Sequence, residues 1–195
     1  MQAKERLAGG KERARPLLMV DIDGVISLFG GWPQGGWQRA GWEHDGAGAR
    51  SAEAAAGAIA GSLHWIDGMP HFLSSTAAAH LLALSSLFEL VWASGWEERA
   101  DEHLPRLLGL PAGLPFLRFE RAVSRANAHW KLEAIDAYAG DRPLAWVDDA
   151  LGDACHAWAT ARTAPTLLVQ TEPRRGLTEA EAARLAAWAR ALAAT

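Results

Sequence analysis

The segment at residues 17–24, Leu-Leu-Met-Val-Asp-Ile-Asp-Gly, constrains the fold of this chain more than any other. Its apolar half is typical of a strand covered on both faces of a sheet. Asp21 and Asp23 lie two residues apart, so on an extended chain their side chains point to the same side. Ligands of open α/β sheets bind outside the carboxyl ends of strands, and two like charges held there require a cation or a shared proton. The alternative is a solvated turn, since Asp and Gly are common turn residues.

Length and composition limit the class of protein. At 195 residues, the chain is predicted to form a single domain over residues 16–195, preceded by a flexible tail at residues 1–15. Its net charge of −4 provides no general attraction to nucleic acid or to anionic membranes. No apolar run approaches the roughly 20 residues of a membrane span, and a single cysteine excludes an internal disulfide. We therefore expect a cytoplasmic protein in which Cys155 is a small buried residue.

Apolar runs alternate with helical patterns along most of the chain. After the strand at residue 17, further strands are predicted at Phe88–Ala93, Phe116–Phe119, Pro143–Val147 and Thr166–Val169. Helices are predicted at Phe72–Leu87, Glu97–Leu108, Trp130–Ala139 and Ala150–Ala161, and a last one opens at Thr178 with a capping-box Glu181. This alternation predicts a Rossmann-like, three-layer α/β/α fold with a mostly parallel sheet of about five strands. Neither a GxGxxG motif after the first strand nor a P-loop is present.

The stretch between the first strand and the first helix, residues 24–69, breaks this pattern and is predicted to form a flap or a minimal cap. Trp32, Trp37 and Trp42 recur every five residues, a period that fits neither helix nor strand. These aromatic side chains would either stack on a base or sugar, or fold back as a small hydrophobic cluster. Residues Ser62–Met69 are predicted to pair as a short hairpin, and Pro70 to occupy the first position of the following helix.

Polar residues follow several of the predicted strands, and the carboxyl ends of parallel strands share one edge of a sheet. The residues expected to converge there are Asp21, Asp23, Ser94, Lys131, Asp148 and Asp149. Several carboxylates around one lysine favour a hard cation with oxygen ligands, which Mg²⁺ fits. Each residue also has a plainer reading: Ser94 as a helix N-cap, Lys131 as a solvated helix lysine, and the Asp148–Asp149 pair as an N-cap.

The order of these motifs resembles a known family. An Asp-x-Asp-Gly after one strand, a Ser after a second, a Lys that opens a helix and a strand ending in Asp-Asp are similar to the haloacid dehalogenase-like (HAD) superfamily of phosphohydrolases, over residues 17–169. Two segments, Val-Trp-Ala-Ser-Gly-Trp at 91–96 and Trp-Val-Asp-Asp at 146–149, further resemble small HAD domains of bacterial proteins linked to RNA repair. The resemblance implies a Mg²⁺-dependent phosphatase acting on a phosphorylated small molecule, such as a nucleotide, or on a nucleic-acid end.

The resemblance also implies catalytic roles. Asp21 would be the nucleophile that forms an aspartyl phosphate. Asp23 would protonate the leaving oxygen and then deprotonate the water that breaks the intermediate. Ser94 and Lys131 would hold the phosphoryl oxygens and offset their charge. The alternative is a non-catalytic interaction domain on the same fold that binds a partner through its Trp-rich flap.

The implied metal site uses the same acids. Mg²⁺ would be bound by Asp21, by the backbone carbonyl of Asp23 and by Asp148. The second acid of the last motif is either Asp149, which is adjacent, or Asp153, one helical turn further on, and we favour Asp149.

The histidines and three of the arginines have other predicted roles. The histidines show no metal-ligand spacing, and surface or packing roles are predicted for His44, His64, His71 and His129. Three arginines near the third strand would bind extra phosphates of a larger substrate or be solvated: Arg118, Arg121 and Arg125.

Overall fold

The computed structural model describes residues 15–29, 59–119 and 128–194. The tail at residues 1–14, the three flap tryptophans (Trp32, Trp37 and Trp42), His44, Arg121 and Arg125 lie outside the described residues. Within them the strands are β1 Leu17–Val20, β2 Ser27–Leu28, β3 Gly61–Ile66, β4 Met69–Ser74, β5 Glu89–Trp92, β6 Leu144–Asp148 and β7 Thr166–Gln170. The α-helices are α1 Ser75–Leu84, α2 Arg99–Leu108, α3 Leu132–Ala139, α4 Asp153–Ala161 and α5 Glu179–Ala193, and a 3-10 turn, Ala128–Lys131, precedes α3.

The central sheet has four parallel strands in the order β5-β1-β6-β7. Side chains alternate across it, so Leu18 and Val20 of β1 join one hydrophobic cluster while Leu17 and Met19 join the other. Helices α1, α2 and α5 supply the first cluster, and α3 and α4 supply the second. The predicted three-layer α/β/α architecture is therefore confirmed, and Cys155 is buried in the second cluster as expected.

The predicted strand at Phe116–Phe119 is wrong, because only one bridge forms beside β5, between Phe116 and Trp92. The Trp92 amide donates to the Pro115 carbonyl, and the Leu117 amide donates to the Trp92 carbonyl. Two residues later the Phe119 amide donates instead to the Glu97 carboxylate at 3.1 Å, so the chain leaves the sheet edge.

A second sheet, antiparallel and three-stranded, has the order β2-β4-β3 and lies within the stretch that follows β1. The predicted hairpin is confirmed but is longer than expected: β3 and β4 pair from Gly61 and Ser74 down to Ile66 and Met69. Its two-residue turn, Asp67-Gly68, has positive φ at both positions, as this kind of hairpin turn requires.

Because β4 extends to Ser74, the predicted start of the first helix at Phe72 is wrong. Phe72 and Pro70 both lie in β4. Phe72 pairs with Leu28 of β2 and Pro70 with Trp65 of β3, so neither belongs to α1. Pro70 fits because it is one position beyond the pair that closes the turn, where an antiparallel ladder needs no N–H donor. Helix α1 begins after Ser74, whose hydroxyl accepts a hydrogen bond from the Ala77 amide at 3.1 Å.

The other helices lie close to their predicted positions. Helix α2 begins at Arg99, after a turn that includes a positive φ at Glu97, and α4 begins at Asp153 rather than at Ala150. The capping box of α5 is present as predicted, with the side chains of Thr178 and Glu181 satisfying each other's backbone amides. None of the helices in the described part of the chain has the length and hydropathy needed to cross a membrane.

Candidate active site

The carboxyl ends of three adjacent strands bring together polar residues that are far apart in sequence. Asp21 follows β1, Ser94 lies two residues beyond β5, and Asp148 is the last residue of β6. The backbone fixes the first of these, because the Asp21 amide donates to the Val147 carbonyl of β6 at 3.0 Å. All three residues line a cavity of about 630 Å³ at this edge of the sheet.

Lys131 lies at the centre of this cluster. Its Nζ is 2.9 Å from Asp21 Oδ1 and 2.7 Å from Asp148 Oδ2, and its side chain is only 4% exposed. The 3-10 turn carries it to the sheet edge, where the Ala128 amide donates to the Ala150 carbonyl. A solvated helix lysine is therefore the wrong description of Lys131.

Ser94 is buried at the floor of the cavity. Its Oγ has no hydrogen-bond partner in the described residues, although the residue is only 1% exposed. It does not cap α2, whose N-cap is Glu98 without a side-chain hydrogen bond. A buried hydroxyl without a partner is costly, so a ligand oxygen in the cavity would supply what the protein leaves out.

Asp148 and Asp149 also do not cap a helix, since α4 starts four residues later behind Gly152. Asp148 is fully buried and accepts a hydrogen bond from the Ala150 amide at 3.0 Å on its second oxygen. Asp149 lies against Gly24, where any side chain would overlap its carboxylate.

Within the described residues, one group of acids has the spacing of a metal site: Asp21, Asp148 and Asp149. Each contributes a carboxylate oxygen, and these oxygens lie within 4.8 Å of one another. Asp153 is exposed and lies outside this group, and the partly buried Asp23 side chain also lies outside it. The Asp23 carboxylate is therefore not among the grouped oxygens.

The Asp23 side chain instead has neighbours of its own. Its Oδ2 accepts a hydrogen bond from Trp96 Nε1 at 3.0 Å. Ser27 lies beside Asp23 in the turn after β1, where the two residues form a bridge, and its hydroxyl opposes the rise in the pKa of Asp23. Ser27 Oγ in turn lies 2.9 Å from His71 Nδ1. No functional role was predicted for Trp96 or Ser27, and only a surface or packing role for His71, yet His71 and Trp96 both line the cavity. The one local signal was that Trp96 closely follows Ser94.

Burial dominates the electrostatics of these acids. It raises the pKa of Asp21 to about 7, assisted by Asp148 and opposed by Lys131. It raises the pKa of Asp149 to about 6, again assisted by Asp148. The pKa of Asp23 is also raised by burial, against the opposing effect of the Trp96 hydrogen bond.

For Lys131 the balance is reversed. Burial alone would lower the pKa of its ammonium, but the charges of Asp21 and Asp148 outweigh burial and raise it. The lysine is therefore charged throughout the physiological range. The acids around it carry more negative charge than one lysine can neutralise, which is the condition that favours binding of a cation.

The mouth of the cavity carries exposed apolar side chains as well as charged ones. Phe29 and Met69 are more than half exposed there, beside Trp130 and the ion pair between Arg99 and Asp67. Arg118, for which either phosphate binding or solvation was predicted, lies outside the cavity and pairs with Glu97 and Glu98 just before α2.

A comparison with protein-family models matches residues 17–182 to a family described as the HAD domain in Swiss Army Knife RNA repair proteins. The chain belongs to this family. The match spans all strands of both sheets and the start of α5, and it confirms both the broader and the closer of the two resemblances. Searches of curated proteins and of solved structures found no significant match.

Proposed function

We propose that this HAD domain is a Mg²⁺-dependent phosphatase that hydrolyses a phosphomonoester through an aspartyl phosphate on Asp21. One observation supports this most strongly. A cavity on a HAD fold contains the buried carboxylate of Asp21, the buried ammonium of Lys131 and the buried Ser94 hydroxyl, which has no partner in the described residues, all at one edge of the sheet. An interaction domain gains nothing from burying such groups, because each costs folding free energy unless it binds something.

Asp21 is suited to attack phosphorus. Its Oδ1 contacts Lys131, and its carboxylate borders the cavity, where a phosphoryl group has room to approach. In the first step a bond forms between an Asp21 oxygen and phosphorus while the bond to the leaving oxygen breaks. Ser94 Oγ and Lys131 Nζ would donate to the phosphoryl oxygens, whose charge would replace that of Asp21 as the partner of the lysine.

Asp23 is suited to move the proton. A general acid needs a pKa near the working pH, and burial shifts the pKa of Asp23 upward from its ordinary value. In the first step its proton passes to the leaving oxygen. In the second step the carboxylate takes a proton from water as the oxygen of that water attacks the phosphorus, and the Asp21 carboxylate is released.

The acids fit Mg²⁺. Hard oxygen ligands, three carboxylates with oxygens within 4.8 Å of one another and an excess of negative charge are what this ion requires. Asp21, Asp148 and Asp149 would hold it, together with the Asp23 carbonyl. When bound, the ion supplies positive charge that offsets the charge of the phosphoryl oxygens.

The substrate class that we propose is a nucleotide or a nucleic-acid end phosphate. Phe29 and Trp130 supply apolar and aromatic surface at the mouth, where the group attached to the phosphate would emerge. The family description places related domains in RNA repair proteins, which supports the same class.

The experiment that tests the proposal measures hydrolysis of aryl phosphates, nucleotides and phosphorylated RNA ends, with and without Mg²⁺. We expect metal-dependent turnover by the wild type and a loss on the order of 10³-fold or more in Asp21→Asn, since a nucleophile is removed. Asp153→Asn is the matched control, because this exposed acid follows the same motif but lies outside the cluster, and it should leave turnover unchanged. A folded wild type that hydrolyses none of these esters would contradict the proposal and favour the interaction domain.

A further inference from the structure

His71 touches two residues beside the Asp23 side chain: Trp96, which donates a hydrogen bond to it, and Ser27, which forms a bridge with Asp23. Its Nδ1 lies 2.9 Å from Ser27 Oγ, and its ring meets the Trp96 indole edge-on, with centroids 4.9 Å apart. Ser27 and Trp96 come from different parts of the fold: the strand that follows β1, and the turn after β5. His71 comes from β4 of the hairpin, so three separate segments meet around one carboxyl group.

Proton counting relates the direction of the hydrogen bond between His71 and Ser27 to the contact between Ser27 and Asp23. A serine hydroxyl has one proton to donate. If Ser27 donates that proton to the Asp23 carboxylate, it can only accept from His71, so His71 must carry its proton on Nδ1. The other ring nitrogen is then free of a proton in the neutral ring, and the polar chain runs from His71 through Ser27 to Asp23.

We infer that His71 is a positioning residue for Asp23. It holds the Ser27 hydroxyl and the Trp96 indole so that one carboxyl oxygen of Asp23 stays directed at the leaving group. This inference rests on the proposed phosphatase function. It links the hairpin, which also lines the cavity with Ile66 and Met69, to the group that moves the proton.

The chemistry of the leaving group separates this role from a merely structural one. When Asp21 attacks, the phosphorus–oxygen bond breaks and the electron pair goes to the leaving oxygen. An alkoxide leaves only if it takes up the Asp23 proton, whereas 4-nitrophenolate is stable enough to leave as the anion. A poorly placed Asp23 therefore slows alkyl esters far more than nitrophenyl esters.

The experiment compares kcat/KM for an alkyl phosphate and for 4-nitrophenyl phosphate, because kcat/KM reports the step in which the leaving group departs. In His71→Phe the ring contact with Trp96 is kept and the hydrogen bond to Ser27 is lost. We expect kcat/KM to fall by about 10- to 100-fold for the alkyl ester and by less than about 3-fold for the nitrophenyl ester, as part of a general-acid contribution is lost. In His71→Asn the side-chain amide can donate from near the Nδ1 position, and the alkyl activity should largely return.

His64→Phe is the matched control. His64 is the cross-strand neighbour of His71 in the same hairpin, its Nε2 pairs with Ser62, and it does not line the cavity. This variant should keep the wild-type ratio between the two esters. If His71→Phe does not fold, Ser27→Ala removes the same link and should show the same selective loss.

The outcomes are distinguishable. A wild type that hydrolyses neither ester overturns the phosphatase proposal and this inference together. A wild type that hydrolyses both, with His71→Phe equally slow or unchanged on the two esters, overturns the role of His71 alone. If His71→Asn is as slow as His71→Phe, the hydrogen bond to Ser27 is not what positions Asp23, and the inference also fails.

Discussion

At the scale of single residues, Lys131 is the group on which the cluster of acids depends. It lies within 3 Å of two buried carboxylates, Asp21 and Asp148, and no other cation is shown in contact with either in the described residues. In Lys131→Met both charges would stay buried without their partner, and we expect the free energy of unfolding at pH 7 to fall by about 3 kcal/mol. Urea denaturation measures this, and the loss should shrink at lower pH, because protons then neutralise the carboxylates.

Arg118→Met provides the comparison for that variant. Arg118 also pairs with two carboxylates, but it is 67% exposed, so removal of its charge should change the free energy of unfolding by less than about 1 kcal/mol. A similar small loss in Lys131→Met would mean that the buried acids do not need the lysine, which contradicts the electrostatic account of the site.

The sequence was sufficient to find the residues that strand ends place in the cavity. Asp21, Ser94 and Asp148 follow apolar runs, and parallel strands bring such positions to one edge whatever the details of packing. His71 and Ser27 could not be found in this way. The proximity of His71 to Asp23 depends on how the antiparallel sheet packs beside the main one, which no local pattern encodes. Ser27 reaches Asp23 through the tight turn after β1, where the two residues form a bridge.

At the scale of elements, the turn after β1 places its backbone against one acid of the proposed metal site. Gly24 has φ of +71°, and a Cβ there would overlap the Asp149 carboxylate. We expect Gly24→Ala to displace Asp149 and to weaken Mg²⁺ binding at least about 10-fold, as loss of a supporting contact around a metal ligand does. Isothermal titration of Mg²⁺ measures this directly.

Gly109→Ala separates backbone strain from displacement of Asp149. Gly109 has nearly the same φ, +69°, but an added Cβ there meets nothing within 4 Å. Both variants should lose about 1 kcal/mol of stability from the left-handed conformation, and only Gly24→Ala should lose Mg²⁺ affinity. Equal Mg²⁺ affinities in the two variants would show that Asp149 does not contribute to the metal site.

The element boundaries that the sequence did not predict have specific physical causes. Phe72 and Leu73 directly precede the N-cap of α1, Ser74, but pairing with β2 holds them in a strand. Phe116 lies in an apolar run typical of a strand, but only one position of it pairs with β5. In both places contacts between segments distant in sequence outweigh local propensity.

At the scale of the whole molecule, the alternation of strands and helices was enough to predict the three layers. Each central strand must bury both faces, and the even and odd residues of β1 do enter different clusters. The antiparallel sheet was only partly predictable, because β2 is two residues long and its pairing with β4 spans more than 40 residues of chain.

The stability of the whole molecule is linked to the protonation of the site. Asp21 and Asp149 have pKa values raised to about 7 and about 6, so the folded chain holds more protons than the unfolded chain between pH 4 and pH 7. These two groups therefore make the free energy of unfolding fall as the pH rises through that window. The lowered pKa values of His64 and His71 act in the opposite direction below pH 6.5, since the unfolded chain then holds the extra protons.

The difference between the free energies of unfolding with and without Mg²⁺ reports on the acids alone. The two histidines titrate in both the metal-free and the metal-bound protein, so their contributions largely cancel in this difference. The ion must displace the protons of Asp21 and Asp149, which costs up to about 1.4 kcal/mol per pH unit for each proton displaced. The stabilisation by Mg²⁺, measured as the difference between urea denaturation with and without the ion, should therefore grow as the pH rises from 5 to 7. Asp149→Asn should reduce this stabilisation, since it removes one ligand and one of the protons. A stabilisation that is constant or decreases over this range would mean that the ion does not bind to these carboxylates.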